Sequence, residues 1–189
     1  MNTIKLVILF VAIVAIPFSG KCVEGGKTLP SVAITDLNGK TVNSLDFTKD
    51  GKITVISFWA TWCVPCKKEL NTVSELYEDW TKKYNVKMIA VSIDDSRNSS
   101  KVKPYVDAQR WDFGVFLDIN QDFKRALNIQ SVPFTVLIDQ TGKIVFGTAF
   151  GLEKEADSVE AFFIKTKLPH TKADDILREK WWKFMMNVG

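Results

Sequence analysis

The chain has 189 residues, 46% hydrophobic and 25% charged, a balance that fits one globular domain with short extensions and excludes a disordered or fibrous chain. Three cysteines are too few for a disulfide scaffold, and a domain of this length buries a sizeable core without one. The formal net charge is +3, and Lys5 and Lys21 precede the first acid, Glu24, so the remaining body is near neutral and gives no electrostatic basis for nucleic acid as a partner.

Lys5 is followed by an apolar run over residues 6–18 and then by Ser19-Gly20. The run is short for a membrane span but fits the h-region of a signal peptide. Residues 1–22 are therefore expected to be a signal peptide or N-terminal anchor. The remainder is expected in the periplasm or another extracytoplasmic, oxidising space, with a membrane tether through the N-terminus as one form. Cys22 stands where a bacterial lipoprotein carries its lipidated cysteine, but Lys21 occupies the preceding position, which wants a small residue. Cleavage, retention and lipidation all stay open. Residues 23–30, with Gly25-Gly26-Lys27 and Pro30, read as a linker.

From residue 31 to 168 the pattern is that of one domain. Residues 32–35 and 41–42 flank Asp36-Leu37-Asn38-Gly39-Lys40, whose Asn-Gly pair suits a tight turn, so an N-terminal β-hairpin is expected. Residues 53–58 are continuously apolar and rich in β-branched side chains, as a strand buried on both faces requires. A helix is expected over 65–83, where Leu70, Val73, Tyr77 and Trp80 fall on one stripe. A second buried strand follows over 86–93, then a helix over 99–110, a short strand at 115–117 and a short helix at 122–127. Residues 134–138 and 143–146 read as two strands joined by Asp139-Gln140-Thr141-Gly142, and a helix is expected over 153–167. Strands alternating with helices and a late hairpin imply an α/β fold with a mixed central sheet flanked by helices.

Residues 169–189 form a C-terminal extension. Thr171 and Asp174 resemble a capping box, and Ala173, Ile176, Leu177, Trp181, Phe184, Met185 and Val188 follow at the spacing of an amphipathic helix. The stripe suits packing on the domain itself, a protein contact or a membrane surface. The mixed charges of Asp174, Asp175, Arg178, Glu179 and Lys183 weigh against the last.

The strongest chemical signal is Trp59-Ala60-Thr61-Trp62-Cys63-Val64-Pro65-Cys66, which joins a buried strand to a helix. Cys63 would sit at the helix N-terminus, where partial positive charge and free backbone N–H groups favour the thiolate. Only the thiolate attacks a disulfide, and Cys66, one turn on, can resolve the mixed disulfide. Pro65, early in the helix, removes a donor that the helix does not use. Structural zinc would need further ligands, and the sequence has no second cysteine pair and only the distant His170, so no metal is expected.

From about residue 29 to 167 the chain resembles the thioredoxin superfamily, and within it the exported TlpA/ResA-like thioredoxins. The resemblance rests on residues 58–69, Phe58 through the Cys63 and Cys66 pair to Lys67-Lys68-Glu69, and on Val132-Pro133-Phe134-Thr135. Leu137-Ile138-Asp139 and Gly142-Lys143-Ile144-Val145 extend it. It implies a thioredoxin fold and a cis-proline at Pro133 beside the two cysteines, with the backbone of Val132 pairing with an extended substrate. It also implies that Trp62, Val64 and Pro65 take part in substrate contact, with Trp59 buried beneath the site. Cytosolic thioredoxins carry a buried aspartate where this chain has Ser57, which cannot act as that base. The ResA-like group carries a glutamate where this chain has Glu69, three residues after Cys66, and the resemblance implies proton transfer at the thiol pair. A part-buried carboxyl there would have a raised pKa. The alternative is a solvated first-turn residue.

The resulting expectation is a protein-disulfide reductase working through Cys63 and Cys66 with help from Glu69. Its only redox group would be the Cys63–Cys66 disulfide. Its partners would be client proteins with disulfides or thiols and a membrane electron donor. The alternatives are a disulfide oxidase or isomerase, a thioredoxin-fold copper carrier, which would want His or Met beside the cysteines, and a peroxidase, which would want a suitably placed Thr and Arg.

Overall fold

The computed structural model describes residues 26–148. The expected N-terminal segment 1–22, the helix expected over 153–167 and the extension 169–189 lie outside them.

The described residues form one seven-stranded mixed sheet with helices on both faces. In chain order the elements are β1 (Ala33–Asp36), β2 (Thr41–Asn43), β3 (Ile53–Trp59), α1 (Val64–Tyr84), β4 (Val86–Ser92), α2 (Val102–Gln109), β5 (Gly114–Leu117), α3 (Asp122–Ala126), β6 (Phe134–Ile138) and β7 (Ile144–Thr148). The strand order is β2-β1-β5-β4-β3-β6-β7. β3, β4 and β5 run parallel, and β6 pairs antiparallel with β3. This is the α/β mixed sheet expected, and the hairpin β1–β2 extends it beyond β5.

β3 is buried along its whole length, which explains why its sequence is apolar without alternation. Successive side chains leave opposite faces. Phe58 meets Phe123 of α3 at 5.1 Å between ring centroids, whereas Trp59 meets Tyr105 of α2 and Trp111 at 5.7 and 5.0 Å. α1 covers the Trp59 face. Its stripe buries Leu70, Val73, Leu76, Trp80 and Tyr84, and Tyr77 packs against the core edge-on to Phe113. The helix ends where Asn85 turns left-handed, φ 51°, with its N–H returning to the Thr81 carbonyl.

The two hairpins use the same device. Asp36 Oδ1 accepts from the N–H groups of Asn38 and Lys40, and Asp139 Oδ1 accepts from those of Thr141 and Lys143. Gly39 and Gly142 supply the positive φ that each turn requires, 85° and 80°.

Three local features differ from expectation. The helix expected over 99–110 begins as a 3-10 turn, Ser99–Lys101, and becomes α2 only at Val102. Pro104 has no N–H to donate to the fourth residue back, which places it in the first turn of the α-helix. The 3-10 turn Ser44–Thr48 was not anticipated. Asn43 Oδ1 accepts from Leu45 N–H, Asp46 Oδ2 accepts from Asn43 N–H, and Phe47 is buried against Phe116. Finally, the stretch read as linker is bound to the sheet from residue 26 onward. Gly26 N–H bonds to the Ile144 carbonyl, Ile144 N–H bonds to the Lys27 carbonyl, and Leu29 is buried. These bonds satisfy the outward N–H and carbonyl of Ile144, where β7 begins, and the apolar Leu29 gives the segment a reason to dock.

Candidate active site

β3 ends at Trp59, and α1 begins five residues later at Val64. The turn between them is closed by Cys63 N–H donating to the Ala60 carbonyl at 3.0 Å. Cys63 is the N-cap of α1. Its backbone is extended and its Sγ accepts from Cys66 N–H at 3.3 Å. A sulfur so placed faces the unsatisfied N–H groups and positive end of a 21-residue helix, the setting that favours a thiolate. Val64 and Pro65 open the helix, so the missing proline N–H leaves no gap in its ladder. Cys63 and Cys66 are joined by a disulfide with their Cα atoms 5.3 Å apart.

Both cysteines are buried, yet their neighbours face solvent: Trp62 is 61% exposed and Val64 69%. Pro65 is also exposed. The Val132–Pro133 peptide bond is cis and lies directly before β6. Phe134, the first residue of β6, pairs with Phe58 near the end of β3, so Val132 and Pro133 lie at the same end of the sheet as the cysteine turn. Val132 packs partly buried against the core.

Glu69 is 4% exposed, so it is not a solvated first-turn residue. Its Oε1 accepts from Thr135 Oγ1 on β6 at 3.3 Å. Thr135 is the cross-strand partner of Ser57. Ser57 Oγ is buried and has no hydrogen-bond partner among the described residues, nor has Trp59 Nε1. The hydroxyl, carboxyl and hydroxyl of Ser57, Glu69 and Thr135 thus introduce polarity into an otherwise apolar interface between α1 and the sheet.

Asp94 belongs to none of the sequence motifs above. It is fully buried just beyond the carboxyl end of β4. Asp94 Oδ2 accepts from Thr61 N–H and Ser92 Oγ, both at 2.8 Å, and Oδ1 accepts from Thr61 Oγ1 at 2.7 Å. The available signal was an acid following a buried parallel strand at its carboxyl end, where α/β sheets gather their functional groups.

An aromatic layer lies behind the turn. Trp59, Tyr105, Trp111 and Phe113 are in ring contact, Trp111 Nε1 donates to Asn71 of α1, and Lys67 Nζ stands 5.5 Å over the Tyr105 ring. No group of three or more His, Cys, Asp or Glu among the described residues is arranged to hold a metal ion.

Two vicinal sulfurs at a helix mouth on this mixed sheet define a thioredoxin-like thiol-disulfide oxidoreductase. The chain belongs to the AhpC/TSA family, whose model matches residues 26–146. It is 34% identical over 122 residues to the thiol-disulfide oxidoreductase ResA of Bacillus thuringiensis, covering 65% of this chain and 68% of that one. Among solved structures it resembles a thioredoxin-like protein from Porphyromonas gingivalis, with 40% identity and a TM-score of 0.66 over 76% of this chain and 94% of that one. The thioredoxin domain of a thiol-disulfide oxidoreductase from Bacteroides vulgatus matches at 25% identity and a TM-score of 0.61, over 74% and 97% of the two chains.

Proposed function

We propose that the protein reduces disulfides in client proteins outside the cytoplasm, with Cys63 as nucleophile and Cys66 as resolving thiol. The observation that carries this reading is the Cys63–Cys66 bond at the α1 N-terminus, with Cys66 N–H on the Cys63 sulfur. In the reduced enzyme the Cys63 thiolate attacks one sulfur of the client disulfide. A mixed disulfide forms, and the other client sulfur leaves as a thiolate that takes a proton. Cys66 then gives up its proton and attacks Cys63 Sγ. The Cys63–Cys66 bond forms, the mixed disulfide breaks, and the client leaves as a dithiol. Two electrons pass from enzyme to client, and a thiol donor must return them.

Glu69 is the acceptor for the Cys66 proton in this reading. Its burial one helical turn beyond Cys66 supports the role, since a general base must lie close to the proton it takes. Trp62, Val64 and Pro65 would contact the client, and the backbone at Val132 and Pro133 would align its extended segment. The extracytoplasmic setting and a membrane electron donor rest on the signal-like residues 1–22 and on the resemblance to ResA-type relatives. Among the described residues no helix is long and apolar enough to cross a membrane.

The test is reduction of insulin by the enzyme with dithiothreitol, beside the Cys63→Ser variant, together with the reduction potential of the pair. Turnover lost in Cys63→Ser and a strongly negative potential are expected. Turnover unchanged in that variant would refute the site, and a potential typical of a strong oxidant would refute the direction.

A further inference from the structure

We infer that Asp94 is a positioning residue for the redox pair, acting on Cys63 through Thr61. This builds on the exchange chemistry proposed above. Between Trp59 and Cys63 the chain must leave a buried strand and reverse into a helix within three residues, and this short turn determines where the Cys63 sulfur sits. The turn is anchored from the neighbouring strand. β4 is registered against β3 up to the pair Trp59 and Ser92, and Ile93 N–H bonds to the Trp59 carbonyl at 2.9 Å. Directly beyond, the Asp94 carboxyl holds both the backbone N–H and the hydroxyl of Thr61, one on each oxygen. Ser92 fixes the carboxyl in turn, donating from its hydroxyl to Oδ2 and accepting Asp94 N–H at 3.1 Å.

Ser92 and Asp94 are fully buried, so the bonds between them are shielded from solvent, while those to Thr61 are part-buried. Thr61 is only partly buried, and Trp62 beside it is exposed. A two-point hold on a short peptide fixes its rotation as well as its position. Loss of the Thr61 hydroxyl would leave one point. The turn could then pivot, and Cys63 Sγ would lose its alignment with Cys66 N–H and the helix end. The thiolate would be less favoured, and Cys63 would react more slowly at neutral pH.

The experiment follows alkylation of Cys63 in the reduced protein by iodoacetamide, resolved from the other cysteines by peptide mass spectrometry, across pH 4–10. Thr61→Val is expected to move the Cys63 profile to higher pH and slow its reaction at pH 7 by roughly threefold to tenfold, up to one pKa unit. Thr61→Ser, which keeps the hydroxyl, is expected to match the wild type. In an Asp94→Asn background, Thr61→Val is expected to add little further, because both changes break the same link. Asp118→Asn serves as a control for stability alone. It alters another buried acid and is expected to lower Tm at the acid end of this range while leaving the Cys63 profile in place. A Thr61→Val profile that overlays the wild type, whatever its Tm, would overturn the inference. If Asp94→Asn does not fold, the Thr61 pair alone decides. Because alkylation needs no turnover, this result is independent of whether the protein reduces insulin.

Discussion

Thr135 Oγ1 on β6 donates to Glu69 Oε1 on α1, which ties the carboxyl one turn beyond Cys66 to the strand that follows the cis Val132–Pro133 bond. If Glu69 takes the Cys66 proton, Glu69→Gln keeps the shape and the acceptor but removes the base. Resolution is then expected to slow by about tenfold or more, within the range for a lost general base. The first attack by Cys63 should stay within about threefold of wild type on the same scale. Stopped-flow measurement of the two steps across pH checks this. Equal slowing of both steps would point to misplacement of the site instead.

Trp62 and Val64 make few demands on the fold, since both are largely exposed. Trp62→Ala should therefore leave Tm nearly unchanged. It should raise KM for a folded protein client by about tenfold, the scale of truncating an interface aromatic, with little effect on a small disulfide. A KM rise of equal size for both substrates would assign Trp62 to the chemistry rather than to client contact.

Phe58 and Phe123 carry the opposite face of the sheet, and both are fully buried. Phe123→Ala is expected to cost about 3–5 kcal/mol, because it removes a fully buried ring packed against Phe58. Urea unfolding measures the loss. A change below about 1 kcal/mol would mean that the α3 layer contributes little to stability.

Asp118 is buried at the end of β5 and accepts from the N–H groups of Phe123 and Lys124. Desolvation raises its pKa above the usual aspartate value, against the hydrogen bonds, which favour the charged form. The folded state then binds the proton more tightly than the unfolded state, so this group's contribution to stability is greatest at low pH. It is lost as pH rises from the ordinary aspartate range through the raised folded value. Asp118→Asn is expected to be less stable than wild type at pH 3, through a lost acceptor, with the gap narrowing toward pH 6. Thermal melts across that range test it, and a gap that widens with pH would contradict the assignment.

Much of this architecture could be read from residue patterns. The apolar run of β3, the stripe of α1 and the Asp-x-x-Gly turns are local signals, and each appears where the pattern placed it. The cysteine turn was equally legible, because a reactive pair between a buried strand and a helix has a short signature. What stayed hidden depends on contacts between distant segments. Glu69 is three residues from Cys66, but the hydroxyl that meets its carboxyl belongs to Thr135, 66 positions away. Asp94 lies 33 positions from Thr61, and its place after a buried strand does not reveal which turn it holds. The docking of residues 26–29 likewise depends on the open edge of β7, which composition does not reveal.

The central claim is tested most directly by trapping the exchange intermediate. The Cys66→Ser variant, reduced and mixed with a disulfide-containing client, should accumulate a covalent adduct whose linked peptide contains Cys63. The Cys63→Ser variant should accumulate none. Full exchange by Cys66→Ser without an adduct, or a client joined through another cysteine, would contradict the account.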